Sequence, residues 1–587
     1  MKTLQDIVES LETRGSKSAL QWKENGKLKN QSFKELYNQI QNYSKAFLEL
    51  GLEKGDKVAL FAENVPEWIS LNLGIVNAGL VDAPRGKEAP IEELDYILDH
   101  SEAKVLIVED KIVLDKIDIE KHKNTQLYSI RHINGVNHIS ELEQLGKEST
   151  QKIPKVGKDD LAGFIYTSGT TGVPKGAMLT HGNFTSNVDA VLNRLTLMYN
   201  DRVLSMLPPW HSFERIIKYV ACASGTTTFI SSKEHVKEDL PEQKPTIMAS
   251  VPKIWEQVYD GLMTKISEEK GLKRTIAKYA IKQSVDYATN KRLLPSPWKK
   301  LWHEIAHKVV YSKLHEKLGG NFRFAASGGG ALPPHIDDFF HAAGIRILEG
   351  YGLTETSPII AMRTLGQNEL HTIGTLIDKV EAKIVDIDTG KDLPKYKEGV
   401  LHVRGPNIMR GYYKDTEETK AVLRNGWLDT GDICYFDSKN RLHITGRAKE
   451  IIVLSNGENI APVPIENALK QSPYIEDSIV LGQDWNGLGA LVVPDSKAIS
   501  NYCKENGLEC SLDNMGIRQL YEDEINKQVN TKNGFQRFHK IRDFELLPQS
   551  FIIGEELTAT LKPMRRKIDK KYSSQIDSVY KRIHKKK

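Results

Sequence analysis

The sequence predicts an α/β protein: a large multi-layer N-terminal domain, made of βαβ subdomains plus a β-rich subdomain, followed by a small α/β C-terminal domain. Three observations carry that expectation. At 587 residues the chain exceeds the size at which one hydrophobic core keeps growing. Amphipathic helical patterns alternate with short β-branched runs through the first 160 residues, as stacked βαβ units do. Between residues 380 and 404 the apolar side chains alternate around turn signals such as Asp388-Thr-Gly390, the mark of a β-rich subdomain.

In chain order, residues 32–50 read as an amphipathic helix, and residues 57–61 and 103–108 as short strands. Residues 161–166 form a further apolar strand that runs into a Gly/Thr/Ser loop. After Thr180-His-Gly-Asn183 a helical stretch begins at Phe184, and strand, glycine loop, helix is the order found at nucleotide sites. Residues 251–318 are Lys-rich and helical, broken at Leu294-Pro-Ser-Pro-Trp298, with solvated helices as the plain reading. Strands follow at 323–326 and 345–348. A polar joint at Gly446-Arg-Ala-Lys449 sets the expected boundary, giving domains 1–446 and 447–587.

Hydrophobic content of 40% and charged content of 27% describe an ordinary globular protein and exclude disordered, collagenous and disulfide-scaffold classes. The net charge of +4 is too small to imply nucleic acid, and no such partner is expected. Asp6 and Glu9 interrupt the start before a signal-peptide core could form, so a cytoplasmic protein is expected. No apolar run approaches the roughly 20 residues that cross a bilayer. Cys222, Cys434, Cys503 and Cys510 are scattered, which fits a reducing compartment and argues against structural zinc. Residues 562–587 hold eleven Lys/Arg against Asp569 and Asp577, a net of +9. Such an end suits the anionic inner face of a membrane, where the protein would sit peripherally, or an acidic carrier protein; a frayed, solvated end is the alternative.

The chemistry begins at Thr167-Ser-Gly-Thr-Thr-Gly-Val-Pro-Lys-Gly176. Backbone N–H groups of Gly169 and Gly172 can converge on an anion, the hydroxyls of Thr167, Ser168, Thr170 and Thr171 add neutral donors, and Lys175 supplies charge. A Walker A loop needs Gly-Lys-Ser/Thr, whereas Lys175 lies between Pro174 and Gly176, so a P-loop NTPase is excluded.

Tyr166 to Gly176 resembles the signature of the adenylate-forming (AMP-binding) superfamily, and the resemblance runs along nearly the whole chain. Gly350-Tyr-Gly-Leu-Thr-Glu-Thr356 is similar to its second motif. There the resemblance implies that Tyr351 stacks on adenine between Gly350 and Gly352, that Thr354 contacts the AMP phosphate, and that Glu355 holds Mg2+. Trp427-Leu-Asp-Thr-Gly-Asp432 resembles the motif whose last aspartate takes both ribose hydroxyls. Gly446-Arg447 resembles the following motif, which makes Arg447 a ribose and phosphate contact and Lys449 a hinge-side residue. Leu557-Thr-Ala-Thr-Leu-Lys562 is similar to the motif whose lysine reaches the carboxylate and α-phosphate, with Lys567 as the second choice. Leu207-Pro-Pro-Trp-His-Ser-Phe-Glu-Arg215 resembles the acyl-site segment, placing His211 there. Ser327-Gly-Gly-Gly-Ala-Leu-Pro333 resembles the loop between adenine and acyl pockets, where Gly328, Gly329 and Gly330 admit ligand closely.

The resemblance implies an ATP- and Mg2+-dependent ligase of fatty acid metabolism in which the acid becomes an acyl-adenylate and then a thioester. It also implies a small domain that rotates on its hinge between half-reactions. The insertion after Trp255 and the form of the Lys562 motif look like long-chain fatty acyl members, with coenzyme A as acceptor. Leu207 to Arg215 and Val81-Asp-Ala-Pro-Arg-Gly86 look more like acyl-acyl-carrier-protein synthetases, with acyl carrier protein as acceptor. A peptide-synthetase module would need a downstream carrier serine that the sequence lacks. An inactive nucleotide-binding scaffold is disfavoured by the presence of Lys175, Glu355, Asp432 and Lys562 together.

Overall fold

Two large sheets dominate the computed structural model, which describes residues 1–168, 173–289, 296–552, 554–558 and 563–585. The nine-stranded sheet is parallel at its centre, where Phe324–Ser327 lies between Ile247–Ser250 and Ile347–Gly352. The eight-stranded sheet runs in the order Gly411–Tyr412, Pro174–Thr180, Leu161–Ser168, Val81–Arg85, Lys57–Phe61, Val105–Val108, Gln126–Ser129, Asn137–His138. Its buried parallel strands read as continuous apolar runs, which is why residues 57–61 were legible as a strand. The helix Phe33–Glu49 starts at a capping box: Ser32 Oγ accepts from Glu35 N–H at 3.2 Å, and the Glu35 carboxylate accepts from Ser32 N–H at 2.7 Å.

By contact the chain divides into Met1–Ala382 with His402–Asp429 and Asn440–Leu442, and Lys383–Leu401 with Thr430–Lys439 and His443–Lys587. Both are α/β, the first much the larger, as the sequence predicts. In the smaller unit Ile475–Leu481 and Ile541–Leu546 flank Leu488–Pro494 in a three-stranded sheet, which helices cover around Ile465, Leu469 and Tyr521.

Two sequence expectations need correction. The sequence leaves residues 174–180 unassigned between the glycine loop and the helix; Pro174–Thr180 is a strand, antiparallel to Leu161–Ser168, with Ser168 opposite Pro174. A strand rather than a helix thus follows the glycine-rich segment, and Pro174 is tolerated because it opens that strand. The helix follows at His181–Arg194, capped by Thr180. The second correction concerns the basic end. Helix Ser573–Lys585 buries Val579 and Ile583, and Arg582 Nε meets Asp543 Oδ1 at 3.0 Å. Arg565 pairs with Glu466, and Lys571 with Glu555 at 2.8 Å. Arg565, Lys571 and Arg582 therefore serve the fold of the unit, and residues 573–585 form a helix rather than a frayed end. Among the described residues no helix is long and apolar enough to cross a membrane.

Asp82 and Arg215, both with fully buried side chains, meet at 2.8 Å and tie the Val81–Arg85 strand to helix Ser212–Ser224. Asn72 donates to the same carboxylate oxygen at 2.7 Å and accepts from the Tyr219 hydroxyl at 2.7 Å. At the start of the next helix in from the hairpin, His181 Nδ1 accepts from Leu4 N–H at 3.3 Å. Burial holds the His181 imidazole neutral, pushing its pKa from 6.5 down to about 4. Because the folded value lies below the unfolded one, this contribution is intact above pH 6.5 and is lost as pH falls towards 4. The expected outcome is a loss of about 2 kcal/mol of unfolding free energy between pH 7 and pH 5. That loss should be missing from His181→Asn when urea unfolding of the two proteins is compared.

Candidate active site

The phosphate-loop hairpin and the Tyr351 strand belong to different sheets, and residues 406–413 join them. Met409 N–H donates to Glu355 O at 2.8 Å, Arg410 N–H to Met178 O at 2.9 Å and Tyr413 N–H to Gly176 O at 2.8 Å. Asn407 Nδ2 donates to Ile359 O at 2.8 Å, and Ser357 Oγ donates to Asn407 O at 2.9 Å. From helix His181–Arg194, Asn183 Nδ2 donates to Pro406 O at 2.8 Å and to Ile408 O at 2.9 Å. Asn187 Oδ1 accepts from Ile359 N–H at 2.8 Å. The turn that carries Thr354 and Glu355 is thereby held by two separate stretches of chain, residues 406–413 and helix His181–Arg194.

Two side chains of this joining segment engage the motif residues directly. The Tyr412 hydroxyl donates to Glu355 Oε1 at 2.7 Å. Burial, and then the Glu355 charge, push the Tyr412 phenol well above its ordinary range, so it stays a donor. Lys175 Nζ pairs with Glu418 Oε1 and lies 5.6 Å from the centroid of the Tyr412 ring. Glu418 sits in the first turn of Thr416–Val422, where its N–H donates to Asp415 Oδ1 at 3.0 Å. Lys175 and Glu355 thus meet one tyrosine, the cation over its ring and the carboxylate at its hydroxyl. Thr167 lies opposite Lys175 across the hairpin, and Ser168 opposite Pro174. Gly169, Thr170, Thr171 and Gly172, named from the sequence, lie outside the described residues.

Gly350, Tyr351 and Gly352 close the strand Ile347–Gly352, in which Tyr351 pairs with Ala361 and the register shifts at Gly352. A Cβ at Gly352 would lie 1.6 Å from Pro358 O, so this position admits no side chain. Beneath the strand, Arg363 is fully buried and donates to Glu349 Oε2 at 2.9 Å and to Asp337 Oδ1 at 3.0 Å. Glu349 Oε1 in turn accepts from Leu332 N–H at 3.0 Å, which pins the end of the Gly328–Gly330 loop. Burial pushes the Glu349 carboxyl up to about 7, against the opposing pull of Arg363.

The three glycines face apolar neighbours: Gly328 lies against Phe213, Gly329 against Val251 and Gly330 against Pro252. Leu207, Ala249 and Val251 form a buried cluster there, with Phe213, Ile217 and Ile254 packed on it. His211 precedes helix Ser212–Ser224 and stacks on Trp210 with ring centroids 4.1 Å apart. Trp210 also takes the Arg85 guanidinium over its face at 4.3 Å. The two sequence segments singled out as carrier-protein-like are therefore in contact.

In the smaller unit Asp432 is buried on Trp427–Phe436, and its Oδ1 meets Arg447 Nε at 2.9 Å. The expected pair of ribose contacts is brought together. Lys449 is exposed in the short 3-10 turn Ala448–Glu450. Lys562 lies outside the described residues. Lys567, the second choice, donates from Nζ to Gly554 O at 2.9 Å.

Sequence reasoning missed Tyr412, Glu418, Asn183, Asn187 and Asn407. A trace of the first was available: Gly411 precedes two tyrosines, and its φ of +141° with Thr419 Cγ2 2.7 Å from a built Cβ shows why glycine stands there.

Comparison with known proteins agrees with this geometry. The family model described as AMP-binding enzyme matches residues 7–413, and the AMP-binding enzyme C-terminal domain matches residues 449–584. A chloroplastic long-chain-fatty-acid–acyl-carrier-protein ligase of Arabidopsis thaliana is 32% identical over 94% of this chain and 82% of its own. A long-chain-fatty-acid–CoA ligase of Mycobacterium bovis is 31% identical over 93% of this chain and 91% of its own. Among solved structures, the adenylation domain of a carboxylate reductase from Mycobacterium chelonae shares the fold with a TM-score of 0.80. It is 22% identical and covers 98% of this chain and 91% of its own. Fold and site define an ATP-dependent acid-activating ligase. The chain belongs to the AMP-binding enzyme family, whose members adenylate an acid and then transfer the acyl group to a thiol.

Arg363 supports the centre of this arrangement. Arg363→Met leaves two buried carboxylates without their cation and is expected to cost about 3–5 kcal/mol. Urea unfolding measures it. Adding Glu349→Gln to the same protein should restore part of the loss, because one of the two stranded charges is then removed.

Proposed function

We propose that this chain activates a long-chain fatty acid as its acyl-adenylate, releasing pyrophosphate, and passes the acyl group to the thiol of coenzyme A. The carrying observation is that Lys175 and Glu355 both meet Tyr412, while the apolar cluster of Leu207, Val251 and Phe213 lines the nearby glycine loop. A cation and a hard carboxylate beside a glycine hairpin suit a triphosphate, and an apolar wall suits an alkyl chain.

In this reading Thr167, Ser168 and Lys175 orient the phosphates, Tyr351 takes the adenine, and Asp432 with Arg447 takes the ribose. Glu355 is the protein ligand for Mg2+. A single carboxylate with one oxygen turned to Tyr412 fits a metal carried mainly on substrate phosphates. Bound there, the ion neutralises phosphate charge. Lys562 offsets the charge that builds as carboxylate and α-phosphate approach, and the Lys567 bond to Gly554 supports leaving that role to Lys562. Lys449 belongs to the hinge between residues 1–446 and 447–587, and no protein nucleophile is needed.

Acyl carrier protein is the alternative acceptor. It is favoured by the contact of Arg85 with Trp210 and by the Arabidopsis thaliana relative, whose name gives that acceptor.

AMP release across a fatty-acid series, with each acceptor in turn, tests the reading. Long-chain acids should support pyrophosphate exchange without acceptor and rapid AMP release with coenzyme A. Exchange with amino acids alone would overturn the substrate class, and turnover confined to carrier protein would replace the acceptor.

Glu418 competes with the triphosphate for Lys175 in this reading. Glu418→Gln should lower the KM for ATP by roughly 3- to 10-fold, on the scale of one partly exposed ion pair, with kcat little changed. A raised KM would mean that Glu418 instead aims the lysine.

A further inference from the structure

The Lys-rich insertion is not evenly solvated. On Pro297–Ala306, Trp298, Leu301, Trp302 and Ile305 recur at i, i+3, i+4 and i+7, the stripe by which a helix buries itself. Trp302 and Ile305 do pack on the core of the larger unit. Trp298 and Leu301 do not: they are 57% and 47% exposed. Tyr279, on the neighbouring helix Leu272–Thr289, is 42% exposed. Trp302 joins these rings into one patch, edge-on to Tyr279 at 4.8 Å and to Trp298 at 5.8 Å. The patch is thus rooted in the core at one ring and open at the others.

Charge surrounds it. The two helices carry six Lys/Arg against Asp286 and Glu304. Lys299 pairs with Asp286, whereas Lys278, Lys282 and Lys300 are exposed and have no ion pair among the described residues. An acidic protein would satisfy the lysines but would not call for an open tryptophan, leucine and tyrosine beside them. A bilayer surface satisfies both, because aromatic rings are stable at headgroup depth and lysines reach anionic headgroups around them. On the C-terminal helix Ser573–Lys585, by contrast, Val579 and Ile583 are buried and Arg582 is held by Asp543.

We infer that the helices Leu272–Thr289 and Pro297–Ala306 dock the protein on an anionic lipid surface, with Trp298, Leu301 and Tyr279 entering the interface and Lys278, Lys282 and Lys300 meeting headgroups. The inference stands on this patch and does not depend on the fatty-acid reading.

Co-sedimentation of the full-length protein with phosphatidylcholine vesicles, with and without phosphatidylglycerol, tests it. The protein should partition onto the anionic vesicles and be released as salt is raised. Trp298→Ser with Leu301→Ser should weaken that partition roughly tenfold or more, and Lys278→Glu with Lys300→Glu should abolish the preference for phosphatidylglycerol. Unchanged pyrophosphate exchange with a soluble acid would show that both variants are folded. Vesicle binding equal to the parent's in both variants would overturn the inference. So would loss of binding to an acidic carrier protein while vesicle binding is unchanged.

Discussion

One segment with hydrogen bonds in two directions sets the geometry of the larger unit's site. Residues 406–413 give their backbone to Met178 and Gly176 on one side and to Glu355 on the other. Buried backbone groups must find partners, so the eight-stranded sheet and the Thr354–Thr356 turn cannot drift apart without orphaning several of them. Asn183, Asn187 and Asn407 reinforce the joint with side-chain amides whose donors and acceptors imitate backbone. Ordinary loops connect elements at the surface. This one acts as a spacer between the strand that carries Lys175 and the turn that carries Glu355.

A second support is ionic and lies below the first. Arg363 neutralises Glu349 and Asp337 in a fully buried cluster, and Glu349 uses its other oxygen to fix Leu332. Hydrophobic replacements would give comparable stability without that geometry. What the charges add is direction: a carboxylate between a guanidinium and one backbone N–H can stand in few positions. The glycine loop that faces Phe213 and Val251 is thereby held at one distance from the Tyr351 strand.

These arrangements explain what could be read from the sequence. Elements whose signal is local were legible: the strand Lys57–Phe61 and the capped helix Phe33–Glu49. The strand Pro174–Thr180 was left unassigned because it opens on Pro174 and carries Gly176, residues that mark loops in a sequence. Tyr412 lies 57 positions from Glu355, and Glu418 is more distant still from Lys175. Such pairs exist only once two sheets have formed, and no periodicity announces them. The basic end was ambiguous for a related reason: Asp543 and Glu545, which claim Arg582, sit on a strand some 40 residues earlier. Helical side-chain rules reach only three or four positions.

Lys175 with Glu418, and Glu355 with Tyr412, suggest how such a site handles a highly charged substrate. Each motif residue has a local partner on the same short segment, a carboxylate for the cation and a hydroxyl for the anion. Neither group is left without a hydrogen-bonding or ionic partner in a partly buried setting, where desolvation would be costly. In the proposed reading a triphosphate with its magnesium ion would offer the reciprocal pair, anion for Lys175 and cation for Glu355. Binding then exchanges partners instead of burying bare charge, and the net electrostatic gain is a difference between two satisfied arrangements. Such a difference is small enough to be tuned by residues outside the motifs. Specificity for nucleotide can then reside in the motifs, while affinity is set by the segment from Tyr412 to Glu418.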